Sequence, residues 1–100
     1  MATILDSKQK NLLNTLAHRL HPTVYIGKNG VIDSVLADAN VQLEAKELVK
    51  CSILRSSPVS ASDTALELAF KLKAELISCL GNKIVLYRKS NKKGVRHIEF

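Results

Sequence analysis

Gly27-Lys28-Asn29-Gly30 brings together, in four positions, residue types that recognise an anion. A glycine at each end lets the backbone take positive φ and approach another backbone closely. Lys28 adds a mobile cation, and Asn29 an amide that both donates and accepts hydrogen bonds. Placed before a helix, such a turn gains more attraction for negative charge, because the first helical N–H groups are free and the dipole is positive there. This is chemistry for gripping a phosphodiester backbone, as the GxxG loops of KH domains do. The same spacing also serves plain tight turns, so the loop alone leaves both readings open. A Walker loop is excluded because no Gly-Lys-Ser/Thr ending follows, and a dinucleotide fingerprint because GxGxxG is absent.

Charge outside the loop points the same way. The 100 residues carry 15 Lys+Arg against 9 Asp+Glu, a net charge of +6 with a pI near 9.6. Residues 1–30 set Lys8, Lys10, Arg19 and Lys28 against Asp6. Residues 81–100 set Lys83, Arg88, Lys89, Lys92, Lys93 and Arg96 against Glu99. The middle is slightly acidic, so the two ends are basic, as expected of a polyanion binder. The cluster Lys89, Lys92, Lys93 and Arg96 is read from charge alone, as phosphate contacts without sequence choice or as a solvated tail.

A helix must precede the loop. Asp6 or Ser7 caps it; Leu12, Leu13, Leu16, Ala17 and Leu20 form its apolar stripe, and Pro22 stops it near Leu20 or His21. Lys8, Lys10, His18 and Arg19 fall largely outside that stripe. Thr23 to Ile26 reads as a strand leading into the loop. Behind it, Ile32, Val35, Leu36, Ala39 and Leu43 predict a helix from about Val31 to Ala45. Leu48 to Leu54 is a second strand, with Val49, Cys51 and Ile53 buried and Lys50 and Ser52 on a polar face.

After a Ser-rich loop, Ser62 or Asp63 caps a third helix with Ala65, Leu66, Ala69 and Leu72 turned inward. Glu75–Leu80 and Lys83–Arg88 form a hairpin about Gly81-Asn82, with Cys79 facing Ile84 and Ile77 facing Leu86. Residues 95–100 could add a short edge strand. The order α-β-α-β-α-β-β predicts an α/β fold with a mixed four-stranded sheet and three helices.

The ordered set Leu16-Ala17-His18, Pro22, Val24-Tyr25-Ile26, Gly27-Lys28-Asn29-Gly30-Val31, Glu47-Leu48-Val49-Lys50, Gly81 and Val85-Leu86-Tyr87-Arg88 resembles the CRM domain family (chloroplast RNA splicing and ribosome maturation). The likeness, which includes the bacterial stand-alone YhbY-like proteins, runs from about Ser7 to Lys89. It implies a fold similar to the C-terminal domain of translation initiation factor 3. It implies RNA binding through Gly27, Lys28, Asn29 and Gly30, with Lys8, Lys10 and Arg19 beside them. For stand-alone members it implies association with ribosomal RNA in precursors of the large subunit. His18 and Arg88 join the candidate RNA-binding residues.

The chain is thus expected to be one domain, with a core at about 7–89 and a basic extension at 90–100. It is expected to be a cytoplasmic, monomeric RNA-binding protein, not an enzyme, with no cofactor, small-molecule substrate, metal or membrane partner. His18, His21 and His97 share no metal spacing; Cys51 and Cys79 read as inert thiols; no GxSxG elbow is present. The opening residues have no secretory pattern. Rival readings are an RNA chaperone or splicing-type factor of the same fold, and a ribosome-docked adaptor, which would survive loop mutation but not mutation of an apolar patch. Tyr25 and Tyr87, off the core parity of their strands, either stack on bases or pack against a helix.

Overall fold

A computed structural model describes residues 6–91, 94 and 98. The elements run α1 (Ser7–Ala17), β1 (Val24–Ile26), α2 (Asp33–Lys46), β2 (Leu48–Ile53), α3 (Ala61–Leu72), β3 (Glu75–Leu80) and β4 (Lys83–Tyr87). They build the expected α/β architecture, three helices on a four-stranded mixed sheet. Its strand order is β1-β2-β4-β3. β1 and β2 are parallel, whereas β4 runs antiparallel to both β2 and β3. β2 and β3 are therefore not paired: the last strand inserts between them.

The helices divide between the two faces. Ala39 and Leu43 of α2 and Ala65, Leu68 and Leu72 of α3 pack on Val24, Ile26, Val49, Cys51, Ile53, Ile84 and Leu86. Leu13 and Ala17 of α1 pack on Leu48, Val85 and Tyr87 from the other side. The face expected to be polar on β2 is thus half covered: Leu48 and Ser52 are buried and Lys50 is partly so. Tyr87 is 2% exposed in this second core, which removes it from any stacking platform.

Several local expectations shift for identifiable reasons. Asp6 caps α1 in a capping box with Gln9, but the regular helix ends at Ala17. The N–H groups of Arg19 and Leu20 then bond three residues back, tightening the chain ahead of Pro22. Leu12, Leu16 and Leu20 stay exposed, so the buried stripe is only Leu13 and Ala17. α2 starts at Asp33, two residues later than its periodicity suggests. Ser60, not Ser62 or Asp63, caps α3, its hydroxyl accepting from the Asp63 N–H. The stripe that packs on the sheet is Ala61, Ala65, Leu68 and Leu72, which leaves Leu66 63% exposed. In the hairpin Cys79 faces Ile84 as expected, but a bulge between Leu76 and Ser78 sets Leu76 opposite Leu86. The extra residue, Ile77, packs against the α1-side core instead. Residues 95–97, 99 and 100 of the expected edge strand lie outside the described residues.

Candidate nucleic-acid interface

The Gly27–Gly30 segment is a hydrogen-bonded turn. The Gly30 N–H donates to the Gly27 carbonyl at 2.9 Å, with Lys28 and Asn29 at the exposed centre. Gly30 sits at φ 68°, where a Cβ would be strained, so the backbone favours glycine there. Gly27 is not at positive φ. A Cβ there would meet only Leu54 Cδ1 and Ser56 Oγ, both at 3.6 Å. Among the described residues no hydrogen bond or ion pair holds the Lys28 or Asn29 side chain.

Two residues beyond the turn, α2 opens with Ile32 as N-cap and no side-chain cap. The free N–H groups of its first turn therefore accompany the loop, though Asp33 in that turn opposes an approaching anion. The Leu54 N–H donates to the Ile26 carbonyl, so the β2–α3 loop with Arg55 lies alongside. The Ile53 N–H donates to the Asn82 carbonyl, and the Asn82 amide returns a bond to the Ile53 carbonyl at 3.1 Å. The hairpin turn is pinned at the same end of the sheet. The carboxyl ends of parallel β1 and β2, where open α/β sheets place ligands, thus carry Lys28 and Arg55, with Lys83 close by at the start of β4.

The α1 side of that end is open. Tyr25, Ser52, Lys83 and Leu80 form one row across all four strands. Tyr25 is 55% exposed, and its hydroxyl donates to the Pro22 carbonyl at 3.1 Å. Lys50, diagonal to Lys83, reaches the carbonyls of Ala17 and Leu20 at 3.4 Å each, a cation on the last turn of α1. His18 and Arg19 are exposed at that helix end.

A family model describing the CRS1 / YhbY (CRM) domain matches residues 5–88. The chain belongs to this family. It is 37% identical over 89 residues to the "Probable RNA-binding protein YqeI" of Bacillus subtilis, covering 89% of this chain and 93% of that one. It is 33% identical over 90 residues to an "RNA-binding protein" of Haemophilus influenzae, covering 90% and 91%. The solution structure of a hypothetical protein from Staphylococcus aureus superposes with a TM-score of 0.68 at 32% identity, covering 95% of this chain and all of the other.

This CRM domain does not gather all the cations singled out from its sequence. Lys8 lies nine residues before Ala17, roughly 14 Å back along α1 at ~1.5 Å per residue. Lys10 shares that remote end. Arg88 follows Tyr87, the partner of Leu48, and so sits roughly 17 Å from Lys83 at ~3.3 Å per strand residue.

The Arg88 side chain turns inward. It donates to the Leu72 carbonyl and to Asn40 Oδ1, both at 2.8 Å, and to Glu44 Oε1 at 3.2 Å. That geometry ties the end of α3 to α2, and it uses a guanidinium that charge counting places on the surface. Lys89 is exposed, whereas Lys92, Lys93 and Arg96 lie outside the described residues. The residues that sequence reasoning passed over are Lys50, Lys83 and Arg55. Each strand lysine alternates with core residues, but only the strand register puts both on the face of Tyr25.

The two cysteines are chemically quiet in different ways. Cys51 is fully buried, and burial first, then the charge of Asp38, pushes its thiol up to about 12. Both thiols are free, and they flank Ile84 in one row two strand spacings apart, too far to bridge. No described helix is long and apolar enough to cross a membrane, and no metal-ligand cluster occurs among the described residues.

Proposed function

We propose that this protein is a non-catalytic RNA-binding factor that docks, as a cytoplasmic monomer, on ribosomal RNA of large-subunit precursors and assists their assembly. Gly27–Gly30 holds the phosphodiester backbone. Lys28 neutralises a phosphate, Asn29 hydrogen-bonds the sugar-phosphate chain, and the α2 N-terminus adds its dipole. The observation that carries this reading is an exposed cationic turn whose side chains have no partner among the described residues, in a chain whose relatives are named as RNA-binding proteins. Arg55, His18 and Arg19 extend the basic margin, while Lys8, Lys10 and Lys89 contact more distant phosphates. Arg88 acts through the packing it secures, and Lys92, Lys93 and Arg96 add affinity from the tail.

The test is sucrose-gradient sedimentation of tagged protein from lysate at low and high salt, beside the variant Lys28→Asp/Asn29→Asp. Salt-sensitive migration with pre-large-subunit particles, lost in the variant, is the expected result. Wild-type protein remaining at the top of the gradient at low salt refutes the ribosomal assignment.

A further inference from the structure

Between the last turn of α1 and the β3–β4 hairpin lies a hollow of about 120 Å³, lined by Asn14, His18, Lys50, Ser78, Leu80 and Lys83 among others. At ~30 Å³ per water, that is room for a phosphate group and a little water. Lys50 and Lys83 are diagonal neighbours on adjacent strands, so their backbones lie roughly 7–8 Å apart. Two ammonium groups drawn into one hollow repel each other unless an anion joins them.

Among the described residues, no carboxylate lines the hollow and neither lysine has an ion-pair partner. Lys83 donates to Ser52 Oγ at 2.9 Å, and Lys50 to the carbonyls of Ala17 and Leu20. An ammonium has three donors, so both keep capacity beyond these bonds. Asn14 and His18, four apart on α1, face them across the hollow with further hydrogen-bonding groups.

We propose that this hollow is a second phosphate site, taking one phosphodiester of an RNA strand that leaves the Gly27–Gly30 turn and crosses the open end of the sheet on the α1 side. The assignment rests on the RNA-binding reading. Tyr25 lies in the row between loop and hollow, and two strand spacings, roughly 10 Å, separate β1 from β4. A strand of a few nucleotides, the span a GxxG clamp covers, reaches both. The chemistry recognised is a phosphate held by two lysines, so the site sets position along the backbone and does not read sequence.

The experiment titrates the labelled full chain with a short oligouridylate, read by amide NMR and by fluorescence anisotropy at several salt concentrations. Lys83→Gln, Lys83→Arg and Lys50→Gln are compared with Lys46→Gln, which removes a cation from the end of α2. Circular dichroism accompanies each variant, because Lys50 also closes α1. Shifts at Lys50, Ser78 and Lys83 together with Lys28 and Asn29 are expected. Lys83→Gln should weaken binding about three- to tenfold and lower the salt slope by about 0.7. Lys83→Arg and Lys46→Gln should stay within about twofold of wild type. An oligonucleotide that shifts the loop yet leaves the hollow still, with Lys83→Gln at wild-type affinity, overturns the site and leaves the RNA-binding reading standing. A hollow that responds to inorganic phosphate but not to RNA overturns the strand assignment. Failure of the wild type to bind any RNA overturns both readings.

Discussion

Replacing Arg88 by Met keeps most of its aliphatic stem and removes the guanidinium. Three groups lose this donor: the Leu72 carbonyl at the end of α3, Asn40 on α2, and the Glu44 carboxylate. Hydrogen bonds to a charged donor contribute ~1.5–3 kcal/mol each when fully desolvated. Here the side chains of Arg88 and Glu44 are 18% and 27% exposed, so the ion pair is partly screened, and three bonds sharing one group do not add. About 3–4 kcal/mol is a reasonable gross loss. Set against it is the relief of Arg88 Nε, which is buried with no partner among the described residues and costs ~1 kcal/mol.

The net destabilisation is then about 2–3 kcal/mol, a large share of the ~5–15 kcal/mol that folds a domain. Urea denaturation should show the midpoint falling by ~1–2 M with the slope unchanged. RNA affinity of the protein that remains folded should stay within about twofold of wild type, since the guanidinium meets no ligand. A loss under ~1 kcal/mol together with a several-fold fall in RNA affinity would refute the reasoning and return Arg88 to the binding surface.

Gly30→Ala should cost about 1 kcal/mol in urea denaturation, because φ 68° is strained for any Cβ although nothing lies within 4 Å. Gly27→Ala, where the added Cβ makes ordinary contacts, should stay within ~0.5 kcal/mol. Alkylation at mildly alkaline pH should modify the half-buried Cys79 well before Cys51, whose thiol is held up to about 12; both should react in denaturant, by mass spectrometry.

Burial first, and the charge of Glu47 second, raise the Tyr87 hydroxyl above its ordinary 10.0. The folded state therefore holds that proton longer than the unfolded chain. The associated stability is complete below pH ~10 and is lost as pH rises through the folded-state value. In a Tyr25→Phe background, phenolate absorbance should report this late titration and urea midpoints the loss.

Element order was legible because each segment carries a clear period: the helical spacing of Ile32, Val35, Leu36, Ala39 and Leu43, and the alternation from Lys83 to Tyr87 about a Gly-Asn turn. Boundaries and faces were less so. Ser60, Ser62 and Asp63 are all competent caps, and Leu66 and Leu68 are both apolar and flank the stripe set by Ala65 and Leu72, so only packing on the sheet decides between them. Leu76 and Ile77 are both apolar, so nothing local marks the bulge that sends Ile77 to the opposite face. Arg88 read as surface charge because its acceptors lie sixteen or more residues away in the chain, with Glu44 forty-four away, and only the fold brings them together. A similar distance hid the Glu47 side chain, fully buried at positive φ, whose carboxylate accepts the N–H groups of Ser90 and Ile98 at 2.6 and 2.7 Å. In the candidate interface, the loop announced itself by residue type. Lys50 and Lys83 did not, because each is one cation in a strand, and only register sets them side by side.

The central claim, that the Gly27–Gly30 turn grips RNA through its backbone, is tested most directly by the salt dependence of RNA affinity for wild type and for Lys28→Asp/Asn29→Asp. Circular dichroism should show the two equally folded, since neither side chain has a partner among the described residues to lose. The account predicts weaker binding in the variant and a salt slope lower by about 0.7–1 for each phosphate contact removed. Unchanged affinity and slope in the folded variant would contradict it.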